Sequence, residues 1–185
     1  MEPAVVGLLA RQAITEQLHR YCRGIDRMDA ELTRSVWHSD GTADYGGLYR
    51  GSASGFVDWL WPVHAAMVGH RHEVSNILIE LDGERAFSET YVFVTLRASE
   101  ADGSMTDIVG QGRYLDQWDC RDGVWAIAHR DYVSDLSHTY VVEQRDVSRH
   151  LPPAGGAATR RTSRRDRSDH SYAVLEGRSL PGGDR

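Results

Sequence analysis

VSNILIELDGERAFSETYVFVTLRA, residues 74–98, alternates along its first half and is rich in β-branched and aromatic types along its second. Val74, Asn76, Leu78 and Glu80 oppose Ser75, Ile77, Ile79 and Leu81, the period-2 pattern of a strand with two unlike faces. Asp82-Gly83 between the halves is a tight-turn signal, so the stretch predicts a hairpin of two long strands. Two more strands are expected at 107–118 and 124–135, joined by Arg121-Asp122-Gly123.

The region before this hairpin has the helical period. Val5, Leu8, Leu9, Ile14, Leu18, Tyr21, Cys22 and Ile25 recur at three- and four-residue steps, which predicts an amphipathic helix over 5–27 that frays near Gly24. Asp29 reads as the N-cap of a short helix from Ala30 to His38, and Ser39-Asp40-Gly41 as a turn. Short extended pieces follow at Thr42–Tyr45 and Leu48–Arg50. Phe56, Leu60, Val63, Ala66 and Met67 give a third helix over 54–69, which Pro62 either kinks or divides. Helices gathered ahead of long, turn-linked strands indicate an α+β domain. One antiparallel sheet would curve over the helical half and enclose a small-molecule pocket. Trp59, Trp61, Met67, Phe93 and Tyr114 are expected in its wall, and Asn76 either lines it or bonds to backbone as a strand amide.

A composition shift near Val147 divides the 185 residues into a domain over 1–145 and an Arg/Gly/Pro-rich tail over 146–185, partly extended or in contact with another subunit. Leu151-Pro152-Pro153-Ala154-Gly155-Gly156 opens the tail, and Ser171-Tyr172-Ala173-Val174-Leu175 is the segment able to dock. The net charge is −6, with 12 Arg against 22 acidic residues in 1–144 and 9 against 5 in 145–185. The basic tail therefore suits an acidic subunit surface better than nucleic acid, which the acidic body would repel. No apolar run approaches the ~18–20 residues needed to span a bilayer, and the N-terminus lacks a basic n-region. Cys22 and Cys120 form no disulfide framework, and a cytoplasmic protein is expected.

All 21 basic residues are arginine. Without lysine there is no Schiff-base catalysis, no lysine-anchored pyridoxal phosphate and no P-loop. Gly110-Gln111-Gly112 lacks the rest of a dinucleotide fingerprint, and Ser52-Ala53-Ser54-Gly55 lacks the setting of a nucleophile elbow. His70-Arg71-His72 places two histidines on one strand face, but Glu80 on that face lies about 26 Å away, so no metal is expected.

Four positions could carry chemistry: Tyr21, Asp26, Tyr45 and His72. Asp26 follows Tyr21 by five residues, a rotation of about 140°, so the two share a cavity only where the helix ends. A carboxylate at a helix C-terminus is disfavoured by the macrodipole and calls for a compensating donor. Histidine is a natural one, its Nδ1–H held by the carboxylate and its Nε2 left free as a base. On spacing alone the same residues are equally a core tyrosine, a helix-end aspartate and a structural histidine.

Several stretches together resemble the SnoaL-like branch of the nuclear transport factor 2-like superfamily. They are ITEQLHRYCRGID (14–26), DGTADYG (40–46), HEVSN (72–76), AFSETYV (86–92) and GRYLDQWDCRDGVWAIAHR (112–130). The resemblance spans roughly residues 5–135 and implies a cone-shaped α+β barrel, a curved sheet wrapped by helices around an apolar pocket. Within that branch, Tyr-x4-Asp followed by a strand histidine is similar to the cofactor-free lyases, among them the bile-acid 7α-dehydratases, scytalone dehydratase and the hexachlorocyclohexane dehydrochlorinase. The dehydrochlorinase carries a lysine where Tyr21 stands, so the dehydratase pattern is the nearer one. By this resemblance His72 is the base, Asp26 its orienting partner, and Tyr21 and Tyr45 are donors. Arg113 or Arg130 would supply a pocket arginine, and no cofactor is implied. The expected activity is β-elimination, of water rather than halide, on a hydrophobic cyclic substrate such as a steroid, terpenoid or polyketide. An isomerase or cyclase, or a non-catalytic binding or oxygenase-associated subunit, would use the same cone. Proteins of this type associate through the outer sheet face, which implies a homo-oligomer, a trimer or a dimer.

Overall fold

The computed structural model describes residues 2–143 and 162–177. Helix α1 (Pro3–Asp26) starts on a proline, whose missing N–H costs nothing in the first turn. It buries Ala10, Ile14, Leu18, Tyr21, Cys22 and Ile25 along one stripe. The helix does not fray at Gly24, because Gly24 is where α2 (Ala30–Ser35) crosses closely. A Cβ there would lie 2.5 Å from Thr33 Oγ1 and 2.8 Å from its backbone nitrogen. The turn comes instead at Met28, whose φ is +50°. Asp29 caps α2 as expected, accepting from the Leu32 amide at 3.1 Å.

Helix α2 ends well short of His38. Trp37 already belongs to strand β1 (Trp37–Asp44), paired with Ile127, and that sheet contact outweighs local helical preference. The expected turn at 39–41 is an arch inside β1. Five residues from Trp37 to Thr42 cover the span that two residues cover on the neighbouring strand. Strand β2 (Arg50–Ser52) leads into α3 (Ala53–Ala65), where Ser52 accepts from the Gly55 amide. Helix α3 passes through Pro62 undivided and stops before residue 69.

The long strands are β3 (Gly69–Asp82), β4 (Arg85–Ser99), β5 (Met105–Arg121) and β6 (Val124–Val142). The sheet order is β2-β1-β6-β5-β4-β3, and β1 lies parallel to β6 while every other neighbour is antiparallel. The sheet is thus mixed rather than purely antiparallel. It is curved and unclosed, with α1 and α3 against its concave face, the α+β cone that the sequence suggested. Ile14, Leu18, Ile25, Val36, Phe56, Val57, Trp118 and Ile127 form the deepest packing, and the Trp118 indole N–H is satisfied by Ser88 at 2.9 Å.

Three bulges set which residues face the cone. At Asn76–Ile77 β3 carries one residue more than β4, so the inward set changes from His72 and Val74 to Ile79. On β6, the extra residue near Ala128 brings Ile127 to the side of Arg130 and Ser134, and the one at Asp135 brings Ser137 to that side as well. Bulges re-aim side chains in this way because the period along a strand is two.

Residues 162–177 pack on the body of their own chain. In this segment α4 (His170–Leu175) buries Tyr172, whose hydroxyl donates to Asp29 at 2.9 Å, and Arg23 donates to Ser171. Arg165 donates to the His64 and Met67 carbonyls at the end of α3. The composition shift near Val147 and the segment 151–156 lie outside the described residues. Among the described residues, no helix is long and apolar enough to cross a membrane.

Candidate active site

The cone encloses a cavity of about 420 Å³, within the size range of small-molecule sites. Its wall is chiefly apolar, with Ile25, Phe56, Trp59, Leu60, Val94 and Tyr114 among its residues. The polar side chains facing it include Tyr21, Tyr45, His64 and His72.

Asp26 is the last residue of α1 and His72 the fourth of β3. The Asp26 carboxylate accepts from the His72 backbone amide at 3.1 Å on both oxygens and meets His72 Nδ1 at 2.8 Å. A carboxylate can only accept, so Nδ1 carries a proton, and in the neutral ring the lone pair is then on Nε2. Asp26 does not itself face the cavity. It stands behind His72, in an outer groove lined by His19, Cys22, Arg23 and Arg27. The five-residue step from Tyr21 therefore points Tyr21 inward and Asp26 to the back of the histidine.

The Tyr21 and Tyr45 hydroxyls are 2.9 Å apart. Tyr45, just beyond β1, is stacked between Phe56 and Tyr132 with ring centroids at 4.3 and 5.3 Å. Burial raises the pKa of both phenols, and of Tyr114, so they stay protonated and able to donate. Beneath them lies Arg130, wholly buried. Its guanidinium makes two bonds of 2.6 and 2.8 Å to the equally buried Asp116 and sits 4.3 Å over the Tyr21 ring and 3.8 Å over Tyr114. Burial opposes its charge, but Asp116 prevails and holds its pKa well above the ordinary value. Arg130 thus supports the tyrosines from behind the cavity wall.

The other expected wall residues divide. Trp59 and Tyr114 line the cavity. Arg113 faces outward, bound to Asp135 and Glu89, because its alternation phase is opposite to that of Tyr114. Phe93 is 40% exposed on that outer face, since Val92 and Val94 take the inward positions of β4. Asn76 sits exposed in the bulge with φ +48°, a conformation asparagine tolerates, and is not part of the wall. Met67 lies past the end of α3, where its carbonyl accepts from Arg165.

His64 went unrecognised in the sequence, although it follows Phe56 and Leu60 at four-residue steps on the buried face of α3. Its ring lies 4.6 Å from that of His70 and 5.7 Å from that of His72. His70 Nε2 donates to the Ile25 carbonyl, which leaves its Nδ1 unprotonated, and the Nδ1 atoms of His64 and His70 are both buried without partners among the described residues. Burial, then the neighbouring His72, His70 and Arg165, push His64 down to about 3. Burial likewise lowers His70. Among the described residues, no group of three His, Cys, Asp or Glu side chains is arranged to hold a metal ion.

The depressed histidines carry a stability prediction. On unfolding His64 regains its ordinary 6.5, so the unfolded chain binds more protons between pH 6.5 and about 3. The stability is intact above pH 6.5 and falls by about 1.4 kcal/mol per pH unit through that window. Urea titrations from pH 7 to 4 on wild type and His64→Phe check this: the variant is expected to show the shallower loss.

Helices packed into a curved, unclosed six-stranded sheet, with an apolar cavity between them, are the architecture of the nuclear transport factor 2-like superfamily. Within it the chain belongs to the SnoaL-like domain family, whose model matches residues 7–131. The fold is similar to that of a Novosphingobium aromaticivorans protein provisionally named a scytalone dehydratase, at 20% identity and TM-score 0.67 over 76% of this chain and 93% of that one. It is also similar to the hexachlorocyclohexane dehydrochlorinase LinA-type3 of Novosphingobium barchaimii, at 17% identity and TM-score 0.62 over 81% and 99%. Rv3472, a protein of unknown function from Mycobacterium tuberculosis, shares 29% identity at TM-score 0.61 over 73% and 77%. No curated protein matches the chain.

Proposed function

We propose that this protein is a cofactor-independent lyase that eliminates water from a neutral, hydrophobic cyclic substrate such as a steroid, terpenoid or polyketide-derived ring. The observation that carries this is the Asp26–His72 contact of 2.8 Å, which holds the ring by Nδ1 and leaves Nε2 toward an apolar cavity. His72 Nε2 takes a proton from a carbon activated by a neighbouring carbonyl or allylic system, and Asp26 stabilises the imidazolium. Tyr21 and Tyr45 donate to the enolate oxygen or to the departing hydroxyl. A positioned base contributes about 10²–10⁴-fold, and a donor aimed at developing charge about 10²–10³-fold, so the two together suit such an elimination. The close dyad favours catalysis over a purely binding role, which would need no polar pair inside the cone. The dehydratase and dehydrochlorinase names of the similar structures point the same way.

The band of Leu78, Phe87, Tyr91 and Phe93 on the outer sheet face, each at least 40% exposed, supports a homo-oligomer, a trimer or a dimer. Incubation with a panel of cyclic β-hydroxy ketones and allylic alcohols, read by mass spectrometry, tests the reaction. Loss of one water is expected. Conversion without mass change would make the protein an isomerase or cyclase, and binding with no conversion would make it a binding module.

A further inference from the structure

We propose that residues 162–177 are a positioning element for the Asp26–His72 pair, anchored through Tyr172. Docked, the segment fixes the end of α1 so that Asp26 stays against the His72 ring. The role rests on the reading of that pair as the working dyad and adds how the pair is held.

Asp26 is poorly placed to hold itself. It is the last residue of α1, where helical hydrogen bonding runs out and the macrodipole opposes a negative charge. The chain then turns through Met28 at φ +50°, a conformation that persists in a residue other than glycine only where its surroundings impose it. Residues 162–177 supply those surroundings. The Tyr172 ring lies against Arg23, whose guanidinium is 4.5 Å from the ring centroid, and the Tyr172 hydroxyl donates to Asp29 at 2.9 Å. Arg23 also donates to Ser171 Oγ at 3.0 Å. Arg27 Nε stands 3.5 Å from the Asp169 carboxylate, and Arg167 lies 3.3 Å from that of Asp29. Positions 23, 27 and 29, all within three residues of Asp26, are thus held from the far end of the chain.

The second attachment is at α3, where Arg165 donates to the His64 and Met67 carbonyls at the helix end. Both helix ends meet the start of β3. His70 donates to the Ile25 carbonyl at 2.8 Å, the His72 amide donates to Asp26, and the His64 ring lies 5.7 Å from that of His72. The segment therefore bridges the two helix ends that flank His72, and Arg165 and Arg167 answer the negative ends of α3 and α1. It does so away from the main core. Tyr172 is 8% exposed, but among the described residues it stands apart from the buried cluster that holds Tyr21, Phe56 and Trp118. Undocking should loosen the end of α1 and leave the sheet and helices packed.

The full chain carrying Tyr172→Ala with Arg165→Ala tests this, with amide hydrogen exchange over 162–177 showing whether the segment has come away. In wild-type protein with isotope-labelled histidine, the Nδ1–H proton of His72 is expected far downfield and protected from exchange, assigned by its absence in His72→Gln. Undocking is expected to move that resonance upfield and broaden it, while the melting transition of the body stays in place. On a substrate identified by water loss, kcat should fall by up to about 10²-fold with KM little changed. Tyr172→Phe, which keeps the ring against Arg23 and loses the bond to Asp29, should lie between the two. A segment that stays docked in the double variant would overturn Tyr172 as its anchor. An undocked variant with the wild-type resonance and kcat, or one whose body melts together with the resonance, would overturn the positioning role. A resonance lost on undocking in a protein that eliminates no water would overturn the elimination and leave the positioning standing. A wild type without the downfield proton would remove the dyad, and both readings with it.

Discussion

His72→Ala is expected to lower the rate of elimination by about 10²–10⁴-fold, and Asp26→Asn by a comparable factor, with neither protein unfolded. The argument for His72 is positional. Its Nε2 is a free lone pair facing the cavity on a ring that Asp26 holds from behind. Removing the ring removes the base, and alanine remains compatible with the β3 ladder. The Asp26 substitution is the sharper test, because asparagine is nearly isosteric. Its amide oxygen can still accept from the His72 backbone N–H, as both carboxylate oxygens now do at 3.1 Å, so the join of α1 to β3 survives. What it loses is the negative charge that balances the imidazolium once the proton has moved. Rates measured on a substrate identified by water loss, beside thermal melts of each variant, separate the two effects. Undiminished turnover in both variants would sink the dyad as the catalytic unit.

Much of this site is legible in the sequence because it hangs on regular elements. The apolar stripe of α1 fixes which way Tyr21 points. The strand pattern after Val68 places His72 near the start of the sheet, and the aspartate at the helix end asks for a donor. Two of the differences, at Asn76 and Arg130, have a common cause. A bulge adds one residue and exchanges the two faces of everything beyond it, and nothing in the alternation of β3 or β6 marks where that happens. A period of two carried through Asn76 puts it in the wall; its left-handed conformation is the bulge itself. The extra residue near Ala128 likewise decides that Arg130 faces inward, whereas Arg113 faces outward by plain alternation from Tyr114. Phe93 shows a different limit. Both faces of β4 are apolar, with Val92 and Val94 inward and Tyr91 and Phe93 outward, so hydrophobicity cannot choose between them. His64 escaped because a polar residue on an apolar helical stripe reads as the edge of the stripe, not as part of the cavity.

Arg130→Met is expected to be the most destabilising single substitution, costing about 3–5 kcal/mol, because it leaves Asp116 charged and alone in the interior. The two side chains are fully buried and joined by bonds of 2.6 and 2.8 Å. Burial alone pushes the Asp116 carboxyl up, and the guanidinium is what keeps it tolerable as an anion. The same guanidinium covers the faces of Tyr21 and Tyr114, so its loss also opens the packing under the tyrosine pair. Denaturant titration of Arg130→Met, Asp116→Leu and the double variant gives the decisive comparison. Either single substitution strands a buried charge, whereas the double strands none and should recover most of the lost stability. A single substitution costing less than about 1 kcal/mol would mean the pair is solvated or dispensable. If the double variant regains stability yet eliminates water slowly, with the tyrosines intact, the pair is retained for the charge it places beneath them rather than for folding. That outcome would tie the buried arginine to the orientation of the Tyr21–Tyr45 donors, a role that the stability of the fold alone does not require.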